Sequence, residues 1–423
     1  MNKIVVILVA VVIVAAAGVG AFTVLSNNGD DIDIPEVASG TGTVYGNSDG
    51  NCYIDKVDVA IAQSIIDGER SLKDFPFADA NCDGKVDSTD VAMIEKMVNK
   101  EDMKVFVLDT QDKVVSVQYP VKKPIILAGS NLAPLITILG VEDIMKGAAY
   151  NTLDSVRDYA VMKGIEEGRI TKISTAGTAA DFDIISKMDV DVMLTEYSGM
   201  YDLDSDENIK KLNDLKIDVL CLECRDPGDD MRSLAVFGIL MGKGDNVNRY
   251  MKFCDNIYAD IKKIEGDKFG SKTVLISSLV ASLSGKASGY TPMVAEAGGK
   301  NIADWDGSTK KVEVGSTWIL DPKYASDCRL LGTSSNYGGT GFKASDVSSY
   351  QEKYKDHSAW TNGEVYIYST SIPVVIRIAY FAQSMYSDIF PEDWANKWHQ
   401  KFVDEFLDVK FDVDDKQFCY KLN

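Results

Sequence analysis

From about residue 104 onward, apolar positions fall into short β-branched runs that alternate with longer amphipathic stretches, the pattern of α/β units. Residues 104–109 and 113–118 predict a hairpin around Thr110, Gln111 and Asp112. Residues 124–129 predict a strand, and a helix over 132–139 stops at Gly140, a C-cap signal. A helix over 182–188, a strand over 191–196 and a strand over 216–223 complete a first half. Two helices follow, over 230–241 and 246–264, the second with Tyr250, Phe253, Ile257 and Ile261 on one face. Its span of about 30 Å is enough to bridge two lobes. A second half runs from a strand at 272–277 through 296–302, a helix at 318–320, a strand at 363–368 and a long terminal helical region. The expected fold is α/β, a two-lobed clamshell. Lobe 1 covers about 104–229 and lobe 2 about 270–423, joined by a rigid helix at about 246–264.

The start of the chain breaks this pattern. Residues 4–25 carry no charge and follow Lys3, long enough to cross a bilayer as a helix. The small residues Ala15, Ala16, Ala17 and Gly18 also suit a cleaved signal peptide, so membrane anchor and signal both stand. Either places the rest outside the cytoplasm, anchored to the outer face of the membrane or secreted. No cysteine directly follows the run to carry a lipid. Residues 26–42 are small and polar and read as a flexible linker.

Between linker and α/β region lie two acidic twelve-residue loops, starting at 47 and 79, thus 32 residues apart. The second, DANCDGKVDSTD, places side-chain oxygens of Asp79, Asn81, Asp83, Asp87 and Asp90 at positions 1, 3, 5, 9 and 12, with Gly84 at 6. Lys85 at position 7 offers its carbonyl. This is the order in which a chain wraps a hard cation such as calcium. The first, NSDGNCYIDKVD, offers Asn47, Asp49, Asn51, Asp55 and Asp58, with the Tyr53 carbonyl at position 7. It departs at position 1, Asn47, and at position 6, Cys52, and carries fewer carboxylates, so weaker calcium binding is expected there. Each loop runs into an apolar helix, and aspartate stands at position 12 of both. Residues 43–103 therefore resemble a dockerin, a small all-α module folded by two structural calcium ions that binds cohesin domains. Ser88 and Thr89, at positions 10 and 11, stand where type I dockerins carry their recognition pair. Lys56 and Val57 hold those places in the first loop, so two-fold symmetry of cohesin contact is broken.

Composition narrows the function. At 423 residues the chain has room for two or three domains, and 45% apolar with 26% charged residues is ordinary for a soluble protein. A formal charge of −20 argues against nucleic acid and anionic lipid as partners. Seven cysteines is an odd number for an exported chain. Cys221 and Cys224 lie on an expected buried strand, where residues three apart face opposite ways, unsuited to clasping one metal.

Several segments, in order, resemble periplasmic-type binding proteins for iron-siderophore, haem and cobalamin uptake. They are 108–117 (LDTQDKVVSV), 133–140 (APLITILG), 181–194 (DFDIISKMDVDVML), 238–250 (GILMGKGDNVNRY) and 360–366 (WTNGEVY). The resemblance spans about residues 104–410. It implies a solute-binding protein of an ABC importer, not an enzyme, with a membrane permease as partner. The ligand implied is a metal chelate or corrinoid, and no catalytic cofactor is expected. Ligands of α/β halves sit at strand C-terminal ends. The loops there hold Asn131, Tyr150, Tyr197, Tyr201, Arg225, Tyr290 and Tyr337, with Arg377 nearby. Tyrosine rings and guanidinium groups suit a bulky, anionic chelate. Two histidines, His357 and His399, are too few for a bare transition-metal carrier. One acid on each lobe is implied to dock the permease. Asp183 takes that place on lobe 1, while Thr317 stands where lobe 2 would carry its acid. A dockerin-bearing polysaccharide hydrolase, or a surface adhesion protein, remains the alternative. The five tryptophans are confined to the C-terminal part, and no G-x-S-x-G elbow with a downstream histidine is visible.

Overall fold

The computed structural model describes residues 34–127, 132–149, 159–173, 180–196, 205–278, 282–311, 321–333, 348, 351–352, 355–359, 363–408, 410–415 and 418–422. The apolar run at 4–25 lies outside them. Among the described residues no helix is long and apolar enough to cross a membrane.

Each acidic loop leads into a helix of eleven residues, α1 (Lys56–Ile66) and α2 (Ser88–Val98). The same device starts both. The N-cap carboxylate (Asp55 or Asp87) accepts from the helix backbone, and the aspartate three residues on (Asp58 or Asp90) accepts from the N-cap N–H. The two helices pack together through Ala62 and Ile94, with Ile61 closing a second small cluster on Phe75 and Ala78. Only the three-residue turn Pro76–Ala78 precedes the second loop.

A hairpin, β1 (Met103–Leu108) and β2 (Val114–Tyr119), pairs in register from Met103–Tyr119 to Leu108–Val114. Asp109 shapes its turn by accepting from Gln111 and Lys113 N–H, and Asp112 takes φ +56°. Then come β3 (Pro124–Leu127), α3 (Leu132–Leu139), β4 (Gly147–Ala148), α4 (Tyr159–Glu166), β5 (Thr171–Lys172) and α5 (Phe182–Ile185). β6 (Val192–Thr195), α6 (Asp206–Leu215) and β7 (Asp218–Cys221) complete lobe 1. Its five strands run parallel in the order β5-β4-β3-β6-β7.

Helices α7 (Pro227–Leu240) and α8 (Gly244–Ile261) follow without an intervening strand. Lobe 2 contains β8 (Lys272–Ser278), β9 (Ser282–Ser284), α9 (Tyr290–Glu296), β10 (Gly299–Asn301), β11 (Thr309–Lys311) and β12 (Cys328–Thr333). It ends with β13 (Glu364–Ser369), α10 (Val374–Met385), α11 (Trp394–Phe406) and β14 (Cys419–Lys421). The strand order is β11-β9-β8-β12-β13-β14, with β10 beside β8.

The halves are less alike than the hydrophobic pattern predicts. The lobe 1 sheet is all parallel, whereas in the second β9 and β14 run against the other strands, so that the β8–β9, β9–β11 and β13–β14 pairings are antiparallel. Several boundaries also move. The expected helix at 182–188 ends after one turn at Ile185, and the Met188 side chain lies beside Gly147 of β4. The expected strand at 216–223 starts only at Asp218, since Lys216 is the left-handed C-cap of α6 at φ +58°. Helix α7 starts three residues earlier than expected, with Asp226 as N-cap and Pro227 in the first turn, a signal present in the sequence.

Helix α8 buries Val247, Tyr250, Phe253, Cys254, Ile257 and Ile261, the face its periodicity predicts, and is about 27 Å long. Its first turns meet lobe 1, where the Asn246 amide donates to the Leu139 carbonyl at 2.6 Å. Its last turns meet lobe 2, where Asp260 accepts from the indole N–H of both Trp394 (2.9 Å) and Trp398 (3.1 Å). One continuous helix thus holds both lobes.

The loop module is built into this body. Residues 38–46, partly expected as linker, fold back onto it. Ser39 and Gly42 donate to carbonyls of the first loop, Val44 bridges Val107 of β1, and Tyr45 N–H donates to Phe106. Val44, Cys52 and Met97 belong to the same apolar core as Val105, Leu240 and Tyr250. Contact is closest at Gly244, where a Cβ would stand 2.5 Å from the Cys52 carbonyl oxygen and 2.5 Å from a Tyr53 ring carbon. Gly244→Ala is therefore expected to cost about 1–3 kcal/mol by overpacking. Urea denaturation of the full chain checks this, and an unchanged midpoint would mean the interface yields.

Candidate functional site

The two acidic loops share a hydrogen-bond scheme. The position-12 carboxylate accepts from the backbone of positions 3 and 9: Asp58 from Asp49 (3.2 Å) and Asp55 (2.8 Å), Asp90 from Asn81 (3.1 Å) and Asp87 (2.9 Å). This pulls each loop round its own centre. Asp79 adds bonds from the N–H groups of Asp83 and Gly84. No three His, Cys, Asp or Glu side chains converge tightly among the described residues. The oxygen set of each loop instead mixes carboxylates with Asn47, Asn51 or Asn81 and the carbonyl of Tyr53 or Lys85.

The first loop carries the plainest sign of a ligand. Asn47 is fully buried, its Nδ2 is taken by the Gly42 and Asn51 carbonyls, and its Oδ1 has no partner among the described residues. Beside it, burial pushes the Asp49 carboxyl up to about 6. Asp58 is raised well above the usual range by burial and by the charge of Asp49. An orphaned amide oxygen among buried, mutually repelling carboxylates fits a hard dication. In the second loop Asp79 is raised by burial and by Asp90 and Asp83, while Asp83, Gly84 and Lys85 are exposed. Ser88 and Thr89 are exposed at the first turn of α2.

Between the lobes, Arg225, Tyr290 and Arg377 come together. Gly289, just before Tyr290, lies so close to Arg225 that a Cβ there would be 2.3 Å from the Arg225 carbonyl oxygen. The Arg377 guanidinium lies 5.7 Å from the centre of the Tyr290 ring, which packs edge-on against Tyr368 at 6.1 Å. The Nε of Arg377 makes no hydrogen bond among the described residues. A pocket of about 10 Å³, room for one water, lies beneath. Leu135 of α3, Asp230 of α7, Tyr250 of α8 and Ser371 and Arg377 of lobe 2 line it.

Three acids here were not foreseen from the sequence. Arg225 is paired with Glu223 (3.0 Å) and with the buried Glu196 (3.4 Å), so its charge is already matched. Arg225, expected as a ligand contact, is thus engaged by two carboxylates, while the Arg377 Nε has no hydrogen-bond partner among the described residues. Burial pushes the Asp230 carboxyl up to about 7 against the pull of the Arg377 guanidinium. Glu196 follows directly on β6, a place where a strand-end carboxylate is legible in the sequence. Asp230 sits on a helix face that periodicity marks as buried, and its meaning appears only once Arg377 is opposite.

Asn131, Tyr150, Tyr197, Tyr201, Tyr337 and Thr317 lie outside the described residues. Asp183 is exposed on the single turn of α5, whose N-cap is Asp181. Both histidines are buried. His357 bonds the Tyr324 carbonyl and Ala359 N–H, and His399 contacts the Tyr380 hydroxyl at 3.1 Å.

Residues 45–99 match the dockerin type I domain family. No curated protein matches the chain in sequence. Solved structures match its fold. The TroA-like periplasmic binding protein FepB from Veillonella parvula superposes with a TM-score of 0.56 at 15% identity, covering 75% of this chain and 99% of that one. CeuE from Helicobacter pylori, solved as a nickel–histidine complex, gives 0.55 at 15% identity, over 74% and 98%. The molybdate periplasmic binding protein MolA from Haemophilus influenzae, bound to molybdate, gives 0.54 at 12% identity, over 72% and 98%. The fold thus resembles that of two-lobed periplasmic solute-binding proteins, and the segment ahead of it matches the dockerin type I domain family.

Proposed function

We propose that this protein is the extracytoplasmic solute-binding component of an ABC importer and delivers a metal chelate or corrinoid to a membrane permease. The observation that carries this reading is the pair of α/β lobes spanned by one helix, a plan shared with periplasmic binding proteins over about three quarters of the chain. Among these neighbours, CeuE is described with a nickel–histidine complex and MolA with molybdate, small metal-containing solutes. Neither histidine of this chain is free at the cleft, which favours a metal already held in an organic chelate over a bare ion. Tyr290 offers a flat face and Arg377 a charge beside it. The protein binds and releases without turnover, so it is not an enzyme. Its module carries two structural calcium ions and offers Ser88 and Thr89 to a cohesin-type partner.

Isothermal titration of the full chain with ferric siderophores, haem and corrinoids tests the reading. One of them is expected to bind, and Arg377→Ala is expected to weaken it at least about tenfold, or about 1.4 kcal/mol. Tyr290→Ala should weaken it similarly. Binding to none of them, together with hydrolysis of a polysaccharide, would reverse the assignment.

A further inference from the structure

The first loop departs from the second at position 6, where Cys52 replaces a glycine, and the fold shows what the cysteine does. Gly84 in the second loop has φ +90° and open space where a Cβ would point. Cys52 is outside the left-handed region and only 4% exposed, its Sγ 3.4 Å from the Met251 Sδ of α8. The next residue, Tyr53, holds position 7, whose carbonyl is the backbone ligand of such a loop. Its side chain leaves the loop for the first turns of α8, where the hydroxyl donates to Asp245 Oδ1 at 3.0 Å and accepts from Asn248 Nδ2 at 2.8 Å. Beneath both residues lies Gly244, with no room for a side chain. The equivalent residue of the second loop, Lys85, is exposed, and among the described residues its ammonium meets only carboxylates of its own loop, Asp87 at 2.6 Å and Asp83 at 3.9 Å.

We propose that the first loop is a calcium clamp on the inter-lobe helix, with Tyr53 as the positioning residue that joins the two. The proposal rests on the calcium reading of the loops. Position 7 contributes to the metal through its main chain, so its side chain is free for a second task. Tyr53 uses that freedom to fix the end of α8 that touches lobe 1. The buried, unpartnered Asn47 Oδ1 belongs to the same loop, at position 1. Calcium held there stabilises whatever folds with the loop, by mass action. Since Cys52 shares a core with both lobes, that unit includes the binding body. Linkage is reciprocal, so ordering of α8 also tightens calcium in the first loop. The second loop faces solvent at positions 5 to 7, and its position-7 side chain, Lys85, makes no contact with α8 among the described residues, which leaves that face free for an outside partner. The cysteine at position 6 is then a packing residue of the clamp, and the loss of glycine there follows from burial.

Hydrogen exchange of the full chain, with calcium and with chelator, tests the clamp. Chelation is expected to speed exchange at least about tenfold both in residues 45–58 and in residues 244–251. Tyr53→Phe leaves the carbonyl in place, so calcium should still protect residues 45–58 while the calcium response of residues 244–251 disappears. Asp90→Ala, which removes a carboxylate from the second loop, should leave the response of α8 intact. If the loop responds to calcium and α8 does not, the clamp is wrong while the calcium reading stands. A Tyr53→Phe protein whose α8 responds as in the wild type removes Tyr53 from the role. If calcium titration shows no binding at all, the calcium reading fails and the clamp with it.

Discussion

Phe253→Ala is expected to destabilise the folded protein by about 3–5 kcal/mol, the range for emptying a large aromatic site in a core. Phe253 is 2% exposed in the middle of α8. Its ring meets Trp398 at 5.6 Å and Phe406 at 5.5 Å, both edge-on, with Phe402 at 6.1 Å. Those three rings belong to α11 of lobe 2, so the substitution opens a hole at the joint between helix and lobe. The surrounding rings are themselves held by further contacts and cannot collapse to fill it. Phe269, 46% exposed, is the control, and its alanine variant should stay within about 0.5 kcal/mol of the parent. Urea denaturation of both variants decides the matter. Equal, small losses would mean that α8 is not anchored in lobe 2 as described.

The other large effect concerns transport. Asp183→Arg should leave solute affinity unchanged and abolish uptake in a system reconstituted with the permease, if Asp183 docks it as the sequence resemblance implies. Asp183 is exposed, and the N-terminus of its helix is capped by Asp181, which accepts from Asp183 and Ile184 N–H at 3.1 Å. The Asp183 carboxylate is therefore not needed to hold the turn, and reversing its charge should spare the fold. On a docking surface the same reversal replaces attraction with like-charge repulsion, which costs far more than the loss of one rim contact. A helix of about 27 Å resists bending because its backbone bonds would break, so closure of the lobes is expected to be a slight rocking, and the proposed permease would then read fixed surface charge. Uptake by the Asp183→Arg protein at the parent rate would place docking on another surface.

Local order was legible in the sequence because it depends on neighbours along the chain. The twelve-residue spacing of oxygens, the aspartate caps, the alternation of the hairpin and the 3.6-residue stripe through Tyr250, Phe253, Ile257 and Ile261 are all set by backbone geometry over a few residues. They gave the two-lobed α/β plan and the paired loops. What the tertiary structure decided involves residues far apart in sequence. Glu196 and Glu223 neutralise Arg225, Asp230 faces Arg377 across the lobes, and two reversed strands, β9 and β14, make the second sheet unlike the first. The junction of module and body is of the same kind. In the sequence, Asn47 and Cys52 read as departures from a calcium loop, and residues 26–42 as a linker. Only the packing of Cys52 on Met251, nearly 200 residues away, shows why the glycine is absent. Burial and ion pairing are free energies of assembled surfaces, and no periodicity in one segment records which distant segment will cover it.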